Sequence, residues 1–229
     1  MSLACATCPV RDRAACSVLS DEERDDLSQR GRHRTLEPGE VLFRAGEKVT
    51  TCATLTRGAL KVSATDAEGR ERILALVHPA GFVGEFFQPF DDHEVVALAS
   101  SEVCLFAGED IETAMSEHPA LGRALLRRTQ EDLHASRTLL ALTGKPDAQA
   151  RVAGLLHGFA QAASDSPCHP AQHFDLPLSR AECANMLGLT IETVSRKITA
   201  LEKSGAIRRH GKRGIELVDP ARLSLMAES

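Results

Sequence analysis

Hydrophobic and polar positions divide the chain into stretches of different period. From Leu36 to about Phe106 the apolar residues fall in short clusters: Val41-Leu42-Phe43, Leu60-Lys61-Val62 and Ile73-Leu74-Ala75-Leu76-Val77. Gly39, Gly46, Gly58, Gly69 and Gly81 punctuate them at intervals of 7, 12, 11 and 12 residues. Short strands at that spacing predict a β-sandwich or jelly roll, with a hairpin turn at Asp66-Ala67-Glu68-Gly69. Pro119 to Leu142 has no internal proline, and Leu126, Leu133 and Leu140 recur every seven residues with Thr129, Ser136 and Thr143 between them. That is an a/d-like seam on one long helix. It either lies on its own sheet or meets the same helix of a second copy, and a helix of this length joining two compact domains suits the second role. Gly144-Lys145-Pro146 ends it, because a proline disfavours helical geometry in the residue before it. A short polar helix is expected from Asp21 to Gln29. Helices dominate from Asp147 onward, with a wing-like tail and a polar surface loop over Ser164 to Pro170.

The 229 residues, 43% hydrophobic and 26% charged, are enough for one large domain or two modest ones with real cores. No run of eighteen apolar residues suggests a membrane-spanning helix, and no basic stretch followed by a long apolar one suggests a secretory signal. A cytoplasmic protein is expected. Net charge is −5, yet Asp175 to Ile215 holds eight Lys/Arg against four Asp/Glu. An acidic body with a basic carboxyl-terminal block is the asymmetry of a chain in which one domain meets a polyanion.

That block has the form of a helix-turn-helix. Ser179-Arg180-Ala181-Glu182 is a capping box, Leu178 and Cys183 stand at staple positions, Gly188 makes the turn and Thr190 caps a second helix. On that helix Ile191, Val194, Ile198 and Leu201 share the core-facing side, and Glu192, Ser195, Arg196 and Thr199 share the other. Such a second helix enters the major groove. Arg196 can pair bidentately with guanine O6 and N7, Glu192 can accept from a cytosine amine, and Ser195 suits a base edge or a phosphate. Arg208-Arg209-His210-Gly211-Lys212-Arg213-Gly214, followed by Ile215-Glu216-Leu217, reads as a wing whose cations suit phosphates.

Seven cysteines in a cytoplasmic chain point to metal or redox chemistry before disulfides. Cys5, Cys8 and Cys16 crowd a leader that offers little reason to bury small hydrophobes. Three soft ligands at this spacing suit an iron–sulfur cluster, a zinc half-site or a redox thiol group, and a metal needs a fourth ligand from elsewhere. Cys52, Cys168 and Cys183 read as core or loop residues, Cys183 on the packed side of its helix.

On Leu187-Gly188-Leu189-Thr190-Ile191-Glu192-Thr193-Val194-Ser195-Arg196, the wing, the seam and the cysteine leader, the chain resembles the Crp/Fnr superfamily of bacterial transcription regulators, and within it the oxygen-sensing Fnr group. The resemblance implies an α+β fold: a cyclic-nucleotide-binding-like β jelly roll, a long dimerisation helix and a C-terminal winged helix-turn-helix. It divides the chain into a cluster-binding leader (1–20), a sensory roll (21–116), the dimerisation helix (117–143) and a DNA-binding domain (147–229). It implies that Glu192, Ser195 and Arg196 read a palindrome of the form TTGAT-N4-ATCAA, with Thr190, Thr199, Arg209, Lys212 and Arg213 completing the DNA-binding set. Leu126, Thr129, Leu133, Ser136 and Leu140 would form the homodimer interface. A 4Fe–4S cluster would be held by Cys5, Cys8, Cys16 and Cys104, the last in Ser101-Glu102-Val103-Cys104. The implied partners are double-stranded DNA, a second copy, RNA polymerase and molecular oxygen as signal, and the implied role is mainly activation when oxygen is scarce.

Other readings of the same fold are a haem or thiol-redox sensor without a cluster, with His78-Pro79 as the haem candidate, and a cyclic-nucleotide sensor. Against the last, Asp91-Asp92-His93-Glu94 follows Gly81-Phe82-Val83-Gly84-Glu85-Phe86-Phe87 and puts carboxylates where a phosphate would need a neutral or positive cradle. An enzyme finds no support: there is no phosphate-binding loop, dinucleotide fingerprint, HExxH or nucleophile elbow. The Cys168-His169 and His173 group lacks a compact ligand framework.

Overall fold

The structure, a computed structural model, describes residues 5–48, 50–85, 87–88, 90–164, 166 and 169–228. It splits into two compact units, one ending at Ser136 and the other beginning at Arg137.

In the first unit, two single 3-10 turns in the leader (Cys5–Thr7 and Ala15–Val18) precede α1 (Asp21–Arg30). Eight strands follow: β1 (Arg32–Leu36), β2 (Val41–Phe43), β3 (Thr51–Arg57), β4 (Leu60–Thr65), β5 (Glu71–Val77), β6 (Phe82–Val83), β7 (Glu94–Ala97) and β8 (Ser101–Ala107). They form two four-stranded antiparallel sheets, ordered β1-β8-β3-β6 and β2-β7-β4-β5. The β4–β5 hairpin turns at Asp66, whose carboxylate accepts from the amides of Glu68 and Arg70 at 3.1 and 2.9 Å. Alternation decides what each sheet face buries. On β8, Val103 and Leu105 join Leu36, Leu55, Leu60 and Val95 in one core cluster. Cys104 and Phe106 belong instead to a second cluster with Leu19, Leu27, Ile111 and Leu121.

A helix that the apolar pattern does not announce, α2 (Gly108–Glu117), follows β8 directly. Then α3 runs unbroken from Pro119 to Thr143. The leader also departs from expectation. Val10, Ala14 and Leu19 are buried, and the first two pack with Ala80 in a cluster of their own. The leader therefore has a small core and folds as part of the roll.

The second unit contains α4 (Ala148–Ala162), β9 (His173–Asp175), α5 (Arg180–Leu187), α6 (Ile191–Lys203), β10 (Ile207–His210), β11 (Gly214–Leu217) and α7 (Pro220–Glu228). Asp147 caps α4 by accepting from the Ala150 amide at 3.0 Å. The three strands form a sheet in the order β10-β11-β9. No described helix is long and apolar enough to cross a membrane.

Candidate functional site

Local sequence rules set the geometry of α5 and α6. The capping box is closed in both directions: Ser179 Oγ accepts from the Glu182 amide at 3.2 Å, and Glu182 Oε2 accepts from the Ser179 amide at 2.7 Å. Gly188 ends α5 at φ +61°, and an added Cβ would meet nothing closer than Arg151 Nη1 at 4.0 Å. The glycine is required by the left-handed backbone and not by crowding. Thr190 then caps α6, its Oγ1 accepting from the Thr193 amide at 3.2 Å.

Val194, Ile198 and Leu201 are buried beneath α6, with Cys183 and Leu187 of α5 also in the interior. Ile191 departs from the expected pattern. It lies in the first turn and is exposed, so the packed stripe begins one turn later. Glu192, Ser195 and Arg196 are exposed, and Thr199 is half-buried with its hydroxyl donating to the Ser195 carbonyl at 3.0 Å. Hydrogen bonding to its own amide and to the Thr190 hydroxyl holds the Glu192 carboxyl below its ordinary pKa. The wing divides its cations. Arg209 is paired with Glu202 (Nη2 to Oε2 2.5 Å), while Arg208 and His210 converge on Glu216 at 2.9 and 2.8 Å. Lys212 and Arg213, at the turn between β10 and β11, are exposed, and no ion pair links either to another described residue.

In the first unit, Cys5, Cys8, Cys16 and Cys104 line one cavity of about 360 Å³, together with Arg11, Arg24, Leu27, His33, Phe106, Leu121 and Leu125. Cys104 stands mid-sheet, opposite His33 of β1 and Thr54 of β3. The leader is shaped by its own turns, with the Cys8 amide donating to the Cys5 carbonyl and the Ala14 amide to the Val10 carbonyl. Arg24 fixes it to α1. This arginine is only 7% exposed and donates to the carbonyls of Cys16, Ser17 and Leu19 at 3.2, 3.3 and 2.6 Å. Arg11 reaches the Cys5 carbonyl at 3.4 Å and is ion-paired with Asp21. Neither arginine stands out in the sequence. The signal that was present is the capping box Ser20 to Glu23, which fixes the start of α1 and hence the face carrying Arg24.

The thiols are free. Burial pushes Cys16 up to about 11, with the Cys8 and Cys5 thiols adding to it. Burial pushes Cys104 up to about 12, and Cys8, Cys5, Cys16 and Glu102 add to that. Arg24 and Arg11 act in the opposite direction on Cys5, whose pKa is nonetheless raised by burial. Four thiols gathered on one cavity beside two guanidinium groups form a donor set that fits an anionic thiolate-held metal group. Cys52 and Cys183 are buried away from this cavity lining, and Cys168 lies outside the described residues. Burial holds His78 towards its neutral form, and it is not among the cavity's lining residues.

A second cavity, of about 740 Å³, takes in Glu85, Asp91 and His93, with Leu125, Leu126, Thr129 and Asp132 of α3 on its wall. None of its lining residues is Lys or Arg, so an anionic ligand there would face carboxylates without a countercharge. Further along α3, the seam leucines Leu126, Leu133 and Leu140 are 61, 48 and 70% exposed. Thr129 is exposed and Ser136 half-buried.

Residues 33–118 match the cyclic nucleotide-binding domain family, and residues 150–226 match the Crp-like helix-turn-helix domain family. The chain is 34% identical over 222 residues to the transcriptional activator protein FnrL of Cereibacter sphaeroides, covering 96% of this chain and 90% of that one. It is 32% identical to the nitrogen fixation regulation protein FixK of Bradyrhizobium diazoefficiens, over 97% of this chain and 93% of that protein. Among solved structures, FixK2 from Bradyrhizobium japonicum superposes with a TM-score of 0.77 at 25% identity, covering 86% of this chain and 96% of that one.

Proposed function

Because the chain belongs to the Crp/Fnr family of transcription regulators, we propose that it is an oxygen-responsive transcriptional activator of the Fnr type. In this reading it acts as a homodimer on a TTGAT-N4-ATCAA-like palindrome, together with RNA polymerase. The observation that carries the proposal is the meeting of three leader thiols with Cys104 on one cavity. Cys5, Cys8, Cys16 and Cys104 would hold a 4Fe–4S cluster, and when bound it supplies an oxygen-labile crosslink between leader and sheet.

The chain's own residues suggest how that crosslink reaches the DNA. Arg128 of α3 donates to the Arg13 carbonyl of the leader at 2.8 Å, and Leu121 and Leu125 of α3 line the thiol cavity. A leader held against the sheet therefore holds the first turns of α3. The same helix carries Leu126, Thr129, Leu133, Ser136 and Leu140 towards a second copy. Apolar side chains this exposed at heptad spacing favour self-association. Two recognition helices then meet half-sites about one DNA turn apart. In each, Arg196, Glu192 and Ser195 read bases, Thr190 and Thr199 flank them, and Lys212 and Arg213 contact phosphates. Arg209 contributes through its pairing with Glu202, which braces the wing against α6.

The test compares anaerobic and air-exposed protein in sedimentation and in binding to the palindrome. The anaerobic form should bind as a dimer and the air-exposed form should lose affinity. Equal affinity and equal mass in both states would refute the oxygen switch.

A further inference from the structure

The 740 Å³ cavity holds a donor set that the oxygen-sensing scheme leaves unused. Glu85, Asp91 and His93 place one ligand atom each within 4.8 Å of one another. Among the described residues, His93 Nδ1 is a buried side-chain nitrogen with no hydrogen-bond partner. Its separation of 3.5 Å from Glu85 Oε1 is too long for a normal hydrogen bond. Asp91 is 5% exposed, and among the described residues the hydrogen bond its carboxylate accepts is from the His93 amide, at 3.1 Å. No cationic side chain pairs with it among the described residues. A buried carboxylate beside an orphaned imidazole nitrogen is costly unless a cation joins them.

We propose that Glu85, Asp91 and His93 form a divalent transition-metal site on the wall of this cavity. The backbone around them is fixed before any ion arrives. The Gly46 amide donates to the Asp91 carbonyl at 2.7 Å, and the Asp91 amide donates to the Glu47 carbonyl at 3.1 Å. On the other side Gly84, at φ +114°, passes so close to β3 that an added Cβ would lie 2.7 Å from Cys52 Cα. Glu85 therefore starts from a tightly placed strand end. One imidazole and two carboxylates suit Zn²⁺, Fe²⁺ or Mn²⁺, and the imidazole argues against Mg²⁺ or Ca²⁺. Three protein ligands leave a position open to the cavity, as zinc sites that bind a further ligand do. Leu126 and Thr129 of the seam line the same cavity, so occupancy would bear on α3. None of the four clustered cysteines lines it, which makes the site separable from the thiols.

The experiment titrates Mn²⁺ alone into the full-length protein under anaerobic conditions, following loss of the free-ion electron paramagnetic resonance signal. Mn²⁺ prefers oxygen and nitrogen donors to thiolates, which suppresses binding at the cysteines. One ion per chain is expected, displaced by Zn²⁺, with the same affinity in a Cys5→Ser/Cys104→Ser chain. His93→Ala and Glu85→Gln should each weaken binding by roughly tenfold or more, the least that loss of a direct ligand produces. Glu85 is exposed, so Glu85→Gln should leave the thermal melt of the metal-free protein unchanged. Absence of saturable binding, binding that either variant retains in full, or binding lost in the cysteine variant would overturn the site.

Discussion

The recognition helix and the thiol cavity stand in opposite relations to solvent. On α6 the groups that would touch DNA project into water, and the residues that hold the helix, Val194, Ile198 and Leu201, are buried beneath it. In the cavity the donor atoms are part of the packing: Cys5, Cys16 and Cys104 adjoin the cluster of Leu27, Phe106, Ile111 and Leu121. Reading and folding are therefore carried by different side chains in one place and by the same side chains in the other. Substitutions on the first surface should change binding without changing stability. Substitutions around the second should change stability as well as whatever the donor atoms hold.

The largest expected effect lies on the exposed surface. Arg196→Ala should cost about 1–3 kcal/mol per half-site and relax the preference for guanine. Two independent half-sites would give roughly 2–6 kcal/mol for the whole palindrome. Fluorescence anisotropy with single-base variants measures it, and the urea midpoint should not move. A drop in stability would show that α6 does not separate the two tasks.

Next comes the leader's anchor. Arg24→Met removes the donor from three carbonyls in a buried setting and should lower the unfolding free energy by about 2–3 kcal/mol. Base preference should be untouched. An unchanged denaturation curve would mean that the leader is not part of the roll's cooperative unit.

A smaller effect divides the wing. Lys212→Ala or Arg213→Ala should weaken all sequences alike and lower the salt slope by about one for each phosphate left without its cation. Arg209→Ala should change the slope less, because Glu202 already occupies that guanidinium. If a wing substitution alters base preference while Arg196→Ala weakens every sequence equally, the two surfaces have been assigned the wrong way round.

The smallest effect near neutrality is that of pH on the metal-free protein. The thiols of Cys16 and Cys104 are raised from 9.0 to about 11 and about 12, so they stay protonated at neutral pH. Their contribution is fully present below about 9 and is lost as pH rises through 11 to 12. Thermal melts in a thiol-reducing buffer should be flat near neutrality and fall in that alkaline window. Metal uptake at these thiols would have the opposite dependence. It would have to displace these protons and so would strengthen as pH rises.

The same contrast explains what could be read from the chain. The helix-turn-helix was legible because its signals are contiguous: a capping box at Ser179, a turn glycine at Gly188 and an apolar stripe on α6. Each has a local physical cause, and only Ile191 strays, since the first turn of a helix need not reach the core. The unbroken helix α3 and the exposure of Leu126, Leu133 and Leu140 along it are legible for the same reason. The thiol cavity was legible only in part. Spacing singles out Cys5, Cys8 and Cys16, but a fourth partner 88 residues further on belongs to the pairing of β8 with β1 and β3, which periodicity does not encode. Family resemblance, and not periodicity, singles out Cys104. Arg24 was missed because a buried arginine in a polar helix looks like a solvated one until its carbonyl acceptors are located. Helix α2 and the buried leader residues Val10 and Ala14 were missed for a related reason: too few apolar positions mark them.

The proposed oxygen switch rests on what the four converging thiols hold. Iron and acid-labile sulfide should therefore be counted in protein isolated without oxygen, alongside its visible spectrum. Four iron and four sulfide per chain are expected, with a broad iron–thiolate absorption in the visible, where the polypeptide itself does not absorb. Serine at Cys5, Cys8, Cys16 or Cys104 should remove most of the cluster, and serine at Cys168 should not. Stoichiometric zinc without acid-labile sulfide, or a cluster that survives Cys104→Ser, would contradict it.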